Sequence, residues 1–140
     1  MPGETSLSTL LTTLHPTLHP STFVFITLPH HDFTASFPIP FTSIQLLFRE
    51  AEGITLVTDL LLAQQHDFQY QFRSRMITLD VHSSLDAVGF IAVVASRLAD
   101  QGISTNPVSG YYHDHLFVPE NRAEDAVKVL KTIAEEAKKE

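Results

Sequence analysis

Hydrophobic and polar positions alternate along this chain with two different periods. Leu7, Leu10, Leu11 and Leu14 recur at helical spacing, which predicts an amphipathic helix from Ser6 to about Leu14, stopped by the His15-Pro16 step. Thr22–Leu28 (TFVFITL) is rich in β-branched and aromatic residues and predicts a buried strand. Pro29–Pro40, with three prolines and the adjacent His30 and His31, predicts a surface loop. Ile44–Phe48 and Ile54–Thr58 flank a Gly53-containing turn and predict a hairpin, followed by a short helix over Leu60–Gln65. Phe68–Phe72 alternates with a period of two and predicts a half-buried strand.

From about Arg73 the pattern begins again. Met76–Val81 predicts a strand, and Asp86–Gln101 a well-buried helix with Ser83 as its cap and Asp86 closing a capping box. Gly102 falls where a left-handed C-cap belongs. Strands are predicted over Ile103–Ser109 and His115–Val118, joined around Gly110. A last helix, capped by Asn121, has Ala123, Ala126, Val127, Leu130, Ile133, Ala134 and Ala137 on its apolar face. This second half reads β-α-β-β-α, one strand short of the ferredoxin-like β-α-β-β-α-β unit. A strand of the first half, placed beside Met76–Val81, would complete it and cover an otherwise apolar edge. The fold class expected is α+β: two ferredoxin-like halves, residues 1–72 and 73–140, each an antiparallel sheet with helices packed on one face.

Composition narrows the functions. With 140 residues, 44% of them hydrophobic and 18% charged, the chain suits one ordinary domain or two small, tightly joined halves. The absence of cysteine excludes disulfides, thiolate metal sites and cysteine nucleophiles, and suits a reducing, cytoplasmic setting. A net charge of −7 argues against a nucleic-acid partner, since only 9 residues are Lys or Arg. No apolar run approaches the length of a membrane span. The first residues, MPGETSLSTLL, carry Glu4 and no basic residue, unlike a secretory signal.

Candidate chemistry sits mainly at the predicted strand-to-helix loop. Ser83, Ser84, Leu85, Asp86, Val88 and Gly89 form a polar stretch at a helix start. Free backbone N–H groups there, with Ser84, can hold a carboxylate, Asp86 can accept an ammonium, and Gly89 allows close approach. Plain helix capping by Ser83 and Asp86 would give the same sequence. His113-Asp114-His115, with His82 as a third member, is a weaker metal candidate; histidines bonding carbonyls in a polar turn explain it as well. Tyr111 and Tyr112 are expected half-buried, with hydroxyls seeking partners. Glu50 and Glu52 at a hairpin tip read as solvated, and His15, His19, His30 and His31 as surface residues. No phosphate loop, serine elbow or Walker pattern is present. No cofactor is implied, and the chain does not read as an enzyme.

The run SLDAVGFIAVVASRLADQGIS (84–104), with Gly89 and Gly102-Ile103 at the matching spacings, resembles an ACT domain, the ferredoxin-like module that senses amino acids in many regulatory proteins. Through FREAEGITLV (48–57), ITLDVHSSLDAVG (77–89) and GYYHDHLFVP (110–119), nearly the whole chain is similar to a family of small proteins built from two ACT-like halves. The loop His30–Pro40 matches least. The resemblance implies a non-catalytic regulatory protein that binds a small molecule, an amino acid foremost, at the strand-to-helix loop between ACT units, with a homodimer formed through a sheet edge. A module that only oligomerises, or a metal-dependent enzyme using His82, His113 and His115, are the competing readings.

Overall fold

The structure, a computed structural model, describes residues 3–140. In chain order its elements are α1 (Leu7–Thr13), β1 (Pro16–Leu28), β2 (Ile44–Arg49), β3 (Ile54–Asp59), α2 (Leu60–Gln65), β4 (Gln71–Leu79), α3 (Phe90–Asp100), β5 (Asn106–Ser109), β6 (Asp114–Pro119) and α4 (Ala123–Lys138). Short 3-10 turns cover His30–Asp32, Phe41–Ser43 and Glu120–Arg122. Hydrogen bonding orders the strands β2-β3-β1-β4-β6-β5. Contacts divide the chain into two units: Ser21–Ser74, and Arg75–Glu140 together with the residues up to Pro20.

The Ser21–Ser74 unit contains β2, β3, the later part of β1 and the first residues of β4. Its antiparallel pairs set Val24 opposite Thr58, Ile26 opposite Leu56 and Leu28 opposite Ile54. The period of two in β1 sends Val24, Ile26 and Leu28 into one core with Leu56, Leu60 and Ala63. Phe33, Phe37, Phe68 and Tyr70 pack against that core, so the proline-rich loop covers it where the sequence suggested only surface. The α2 helix starts because Asp59 Oδ1 accepts the Leu61 N–H at 2.8 Å.

The other unit contains the first part of β1, the last residues of β4, and β6 and β5. Pro16–Pro20 of β1 thereby stands beside β4 and supplies the strand missing from β-α-β-β-α, as the sequence led us to expect. Ile77, Leu79, Leu116 and Val118 form a core with Phe90, Val94 and Leu98 of α3 and Ala126, Leu130 and Ile133 of α4. α1 joins the same core through Leu10 and Leu14, and Ser6 caps it by accepting the Thr9 N–H at 3.3 Å. Gly102, at φ +70°, closes α3 as expected: its N–H bonds the Ala99 carbonyl and the Ile103 N–H the Leu98 carbonyl, the two bonds of a Schellman cap.

Several boundaries differ from the sequence reading. β1 begins at Pro16, not Thr22, because a strand tolerates proline at its first position. His19 therefore lies on a strand rather than in an exposed segment. Phe68–Tyr70 are not strand; left-handed Asp67 (φ 54°) and Phe72 (φ 59°) displace that stretch, and β4 starts at Gln71. β5 is shorter than Ile103–Ser109 because Ile103 belongs to the α3 cap. The last helix is preceded by a 3-10 turn, so Arg122 and not Asn121 holds its cap position. α3 starts at Phe90, four residues later than Asp86, because Gly89 at φ +92° takes the N-cap position.

Candidate functional site

The loop between β4 and α3 is shaped by short-range bonds. Ser84 Oγ accepts the Asp86 N–H at 3.1 Å, and the Ser84 carbonyl accepts the Ala87 N–H at 3.0 Å, closing a turn before the helix. The first helical bond runs from the Val93 N–H to the Gly89 carbonyl. No side chain caps this end, which leaves the N–H groups of the first turn without an intrahelical partner. Ser83 caps nothing: it is buried and donates through Oγ to Asp114 Oδ2 at 3.0 Å. Asp86 is exposed and outside the helix, so the capping-box reading fails for both residues.

A depression of about 220 Å³ opens at this helix start. Of the sequence candidates, Ser83, Ser84, Leu85 and Gly89 line it; Asp86 and Val88 do not, and Val88 is 84% exposed. Phe90, Ile91 and Ala92 of α3, with Ser109 and Asp114, line it too. Asp114, only 7% exposed, stands in the sequence as the middle residue of the weak metal candidate His113-Asp114-His115. Its carboxylate is held from two sides, accepting from Ser83 Oγ and, at 2.6 Å, from Ser109 Oγ. The single signal for it in the sequence is its place at the start of β6, where Ser109 is its cross-strand partner.

The N-terminal segment also reaches this loop. Glu4 and Ser83 form a parallel bridge: the Glu4 N–H bonds the His82 carbonyl at 2.7 Å and the Ser84 N–H the Glu4 carbonyl at 2.9 Å. Glu4 Oε1 in turn accepts the N–H groups of Thr5 and Ser6 ahead of α1.

The histidines are arranged otherwise than a metal set requires. The ring of His82 lies against Tyr112, 5.5 Å between centroids, while those of His113 and His115 stand 6.3 Å apart. Among the described residues no three His, Asp or Glu side chains are grouped to hold a metal ion. His115 Nδ1 and His19 Nε2 instead flank the buried Thr78 hydroxyl, at 3.0 and 2.7 Å. Burial, and then the neighbouring His113 and His19, hold the His115 pKa below that of a free histidine. Tyr111 and Tyr112 are 63% and 62% exposed, not half-buried. Glu50 is exposed at the hairpin tip and accepts from Thr55 Oγ1 at 2.5 Å.

Two units with ferredoxin-like strand order, one carrying a polar depression at a strand-to-helix loop, define a tandem α+β protein. The chain belongs to the ACT-domain family: the ACT-domain pattern matches residues 2–75, and a second pattern of the same description matches residues 71–132. It is similar to a Vibrio cholerae protein of unknown function described as a possible transport protein, with 38% identity, 91% of this chain and 95% of that chain covered, and a TM-score of 0.79. An Agrobacterium tumefaciens protein shares the fold at 19% identity, 86% and 89% coverage and a TM-score of 0.68. The ligand-free regulatory subunit of aspartate kinase from Thermus thermophilus shares it at 10% identity, 88% and 97% coverage and a TM-score of 0.63. No curated protein matches the sequence. Among the described residues no helix is long and apolar enough to cross a membrane.

Proposed function

We propose that this protein is a non-catalytic regulatory module that binds a free amino acid in the depression at the start of α3. One observation carries the reading: a buried carboxylate and the open N-terminus of a helix face the same small space. A zwitterion presents the complementary pair. Its carboxylate suits the free N–H groups and the positive end of the α3 dipole. Its ammonium suits Asp114, whose carboxylate accepts from two neutral serine hydroxyls, Ser83 and Ser109. Ser83 and Ser109 fix that carboxylate, and Ser84, Leu85 and Gly89 complete the wall, with Asp86 and Val88 at its margin.

Membership in the ACT family supports the regulatory role, and the likeness to an aspartate kinase regulatory subunit is consistent with it. The division we propose for function is residues 1–72 and 73–140, the site lying in the second half, with a second copy pairing along a sheet edge in the cytoplasm. Binding regulates only if two states of the loop differ in affinity, so that the ligand shifts their balance.

The test is a thermal-shift screen of the purified protein against the twenty amino acids. A ligand at about 100 times its Kd adds about 2.7 kcal/mol of stability. One or a few amino acids should stabilise the protein, Asp114→Asn should remove the shift, and Asp86→Ala should retain it. Silence from all twenty would end the amino-acid reading.

A further inference from the structure

A second cleft, of about 340 Å³, lies in the Ser21–Ser74 unit and has a different chemistry. It is lined by Phe25, Ile26 and Thr27 of β1, Thr55 of β3, and Gln69, Tyr70 and Gln71. Thr27 and Thr55 are direct cross-strand partners, so their side chains share one face of the sheet. Every residue lining the cleft is uncharged.

Beside the cleft the first residues of β4 depart from regular strand geometry. Phe72 sits at φ 59°, a left-handed conformation that a bulky aromatic residue seldom adopts. Its ring is kept there by an edge-to-face contact with Phe25, 5.8 Å between centroids and 64° between planes. Gln69 and Tyr70 lie just before β4 and Gln71 is its first residue. Strain of this kind persists where the surroundings over-determine it, and it concentrates at ligand sites.

We propose that this cleft binds an uncharged planar heterocycle of nucleobase size that carries an amide-type edge. An ion would enter without a counter-charge, which an uncharged lining cannot offset. The Gln69 and Gln71 side chains each present an N–H donor and a carbonyl acceptor side by side, the match for an adjacent donor–acceptor pair on a heterocycle. Phe25 and Tyr70 give the lining aromatic surface for a planar ring. The volume lies at the lower end of small-molecule sites, which suits one ring system rather than a nucleotide. The site is separate from the amino-acid site and does not depend on it.

The full-length protein should be titrated by NMR with adenine, uracil and hypoxanthine, with benzoate as a charged ring and glucose as a neutral non-planar control. At least one heterocycle should move the Gln69 and Gln71 side-chain amide resonances, while Ser83 and Gly89 stay in place. Benzoate and glucose should leave the glutamines unmoved. Gln69→Leu and Gln71→Leu change exposed side chains, so each should fold as the parent does and bind about tenfold more weakly, the loss of one or two hydrogen bonds. The proposal is overturned if no heterocycle moves the glutamine resonances, if benzoate or glucose binds equally well, or if both leucine variants keep the parent affinity.

Discussion

Leu10→Ala tests whether α1, at the start of the chain, belongs to the core of the Arg75–Glu140 unit. Leu10 is 0% exposed and shares that core with Val94 and Leu98 of α3 and Leu130 of α4. The substitution removes three carbons, about 0.8 kcal/mol each in transfer free energy. It also leaves a cavity that helices packed on both sides cannot fully close, which brings the expected cost to about 3–4 kcal/mol. For a chain of this size that is a fall in Tm of about 10 °C. Urea unfolding followed by circular dichroism gives the free energy, and amide exchange shows where protection is lost. The loss should fall on α3 and α4, far along the sequence from the substitution. Leu61→Ala, at a leucine that is 65% exposed, should cost under about 0.5 kcal/mol. A Leu10→Ala cost below about 1 kcal/mol, or protection unchanged in α3 and α4, would refute the packing argument.

Gly102→Ala meets open space but must hold φ +70°, so its cost should be about 1 kcal/mol of backbone strain alone, readable from the urea midpoint. His115 keeps a pKa below that of the unfolded chain, so the unfolded state binds more protons as pH falls through the histidine range. Stability should therefore be fully present above about pH 6.5 and decline below it, and His115→Asn should flatten the slope of urea midpoint against pH. At Gly3 a Cβ would come within 2.7 Å of backbone atoms of His82, Ser83 and Ser84, so Gly3→Val should break the Glu4–Ser83 bridge. Faster amide exchange at Ser84 with α3 unchanged would report it, and unaltered exchange would contradict the contact.

Periodicity made the cores readable. Ala126, Leu130 and Ile133 on α4, and Val24, Ile26 and Leu28 on β1, are where spacing puts them, because burial of one face is a property of the repeat itself. Starts and stops were harder. Ser83 and Asp86 fit a capping box in sequence, yet Gly89, three positions after Asp86, takes the cap by adopting a conformation other residues avoid. Phe68–Phe72 alternates as a strand should, yet with left-handed Asp67 and Phe72 on either side only Gln71 and Phe72 are strand. The carboxylate at the candidate site was hidden for a different reason. Asp114 reaches Ser83 across thirty-one positions of sequence, and no local signal marks such a pair; its two histidine neighbours drew the eye to metal chemistry instead.

The interrupted unit has a consequence for how the protein is made. Ser21–Ser74 is contiguous, so everything its core needs has left the ribosome by the time Ser74 emerges. α1 and Pro16–Pro20 emerge earlier still, but their partners begin at Arg75 and extend to α4. α1 is thus made before its partners α3 and α4 and buried only with them, and its leucines wait exposed while Ser21–Ser74 folds. Chaperone demand during synthesis should accordingly centre on Leu7–Leu14, and polar replacement of Leu10 should ease that demand while weakening the finished fold.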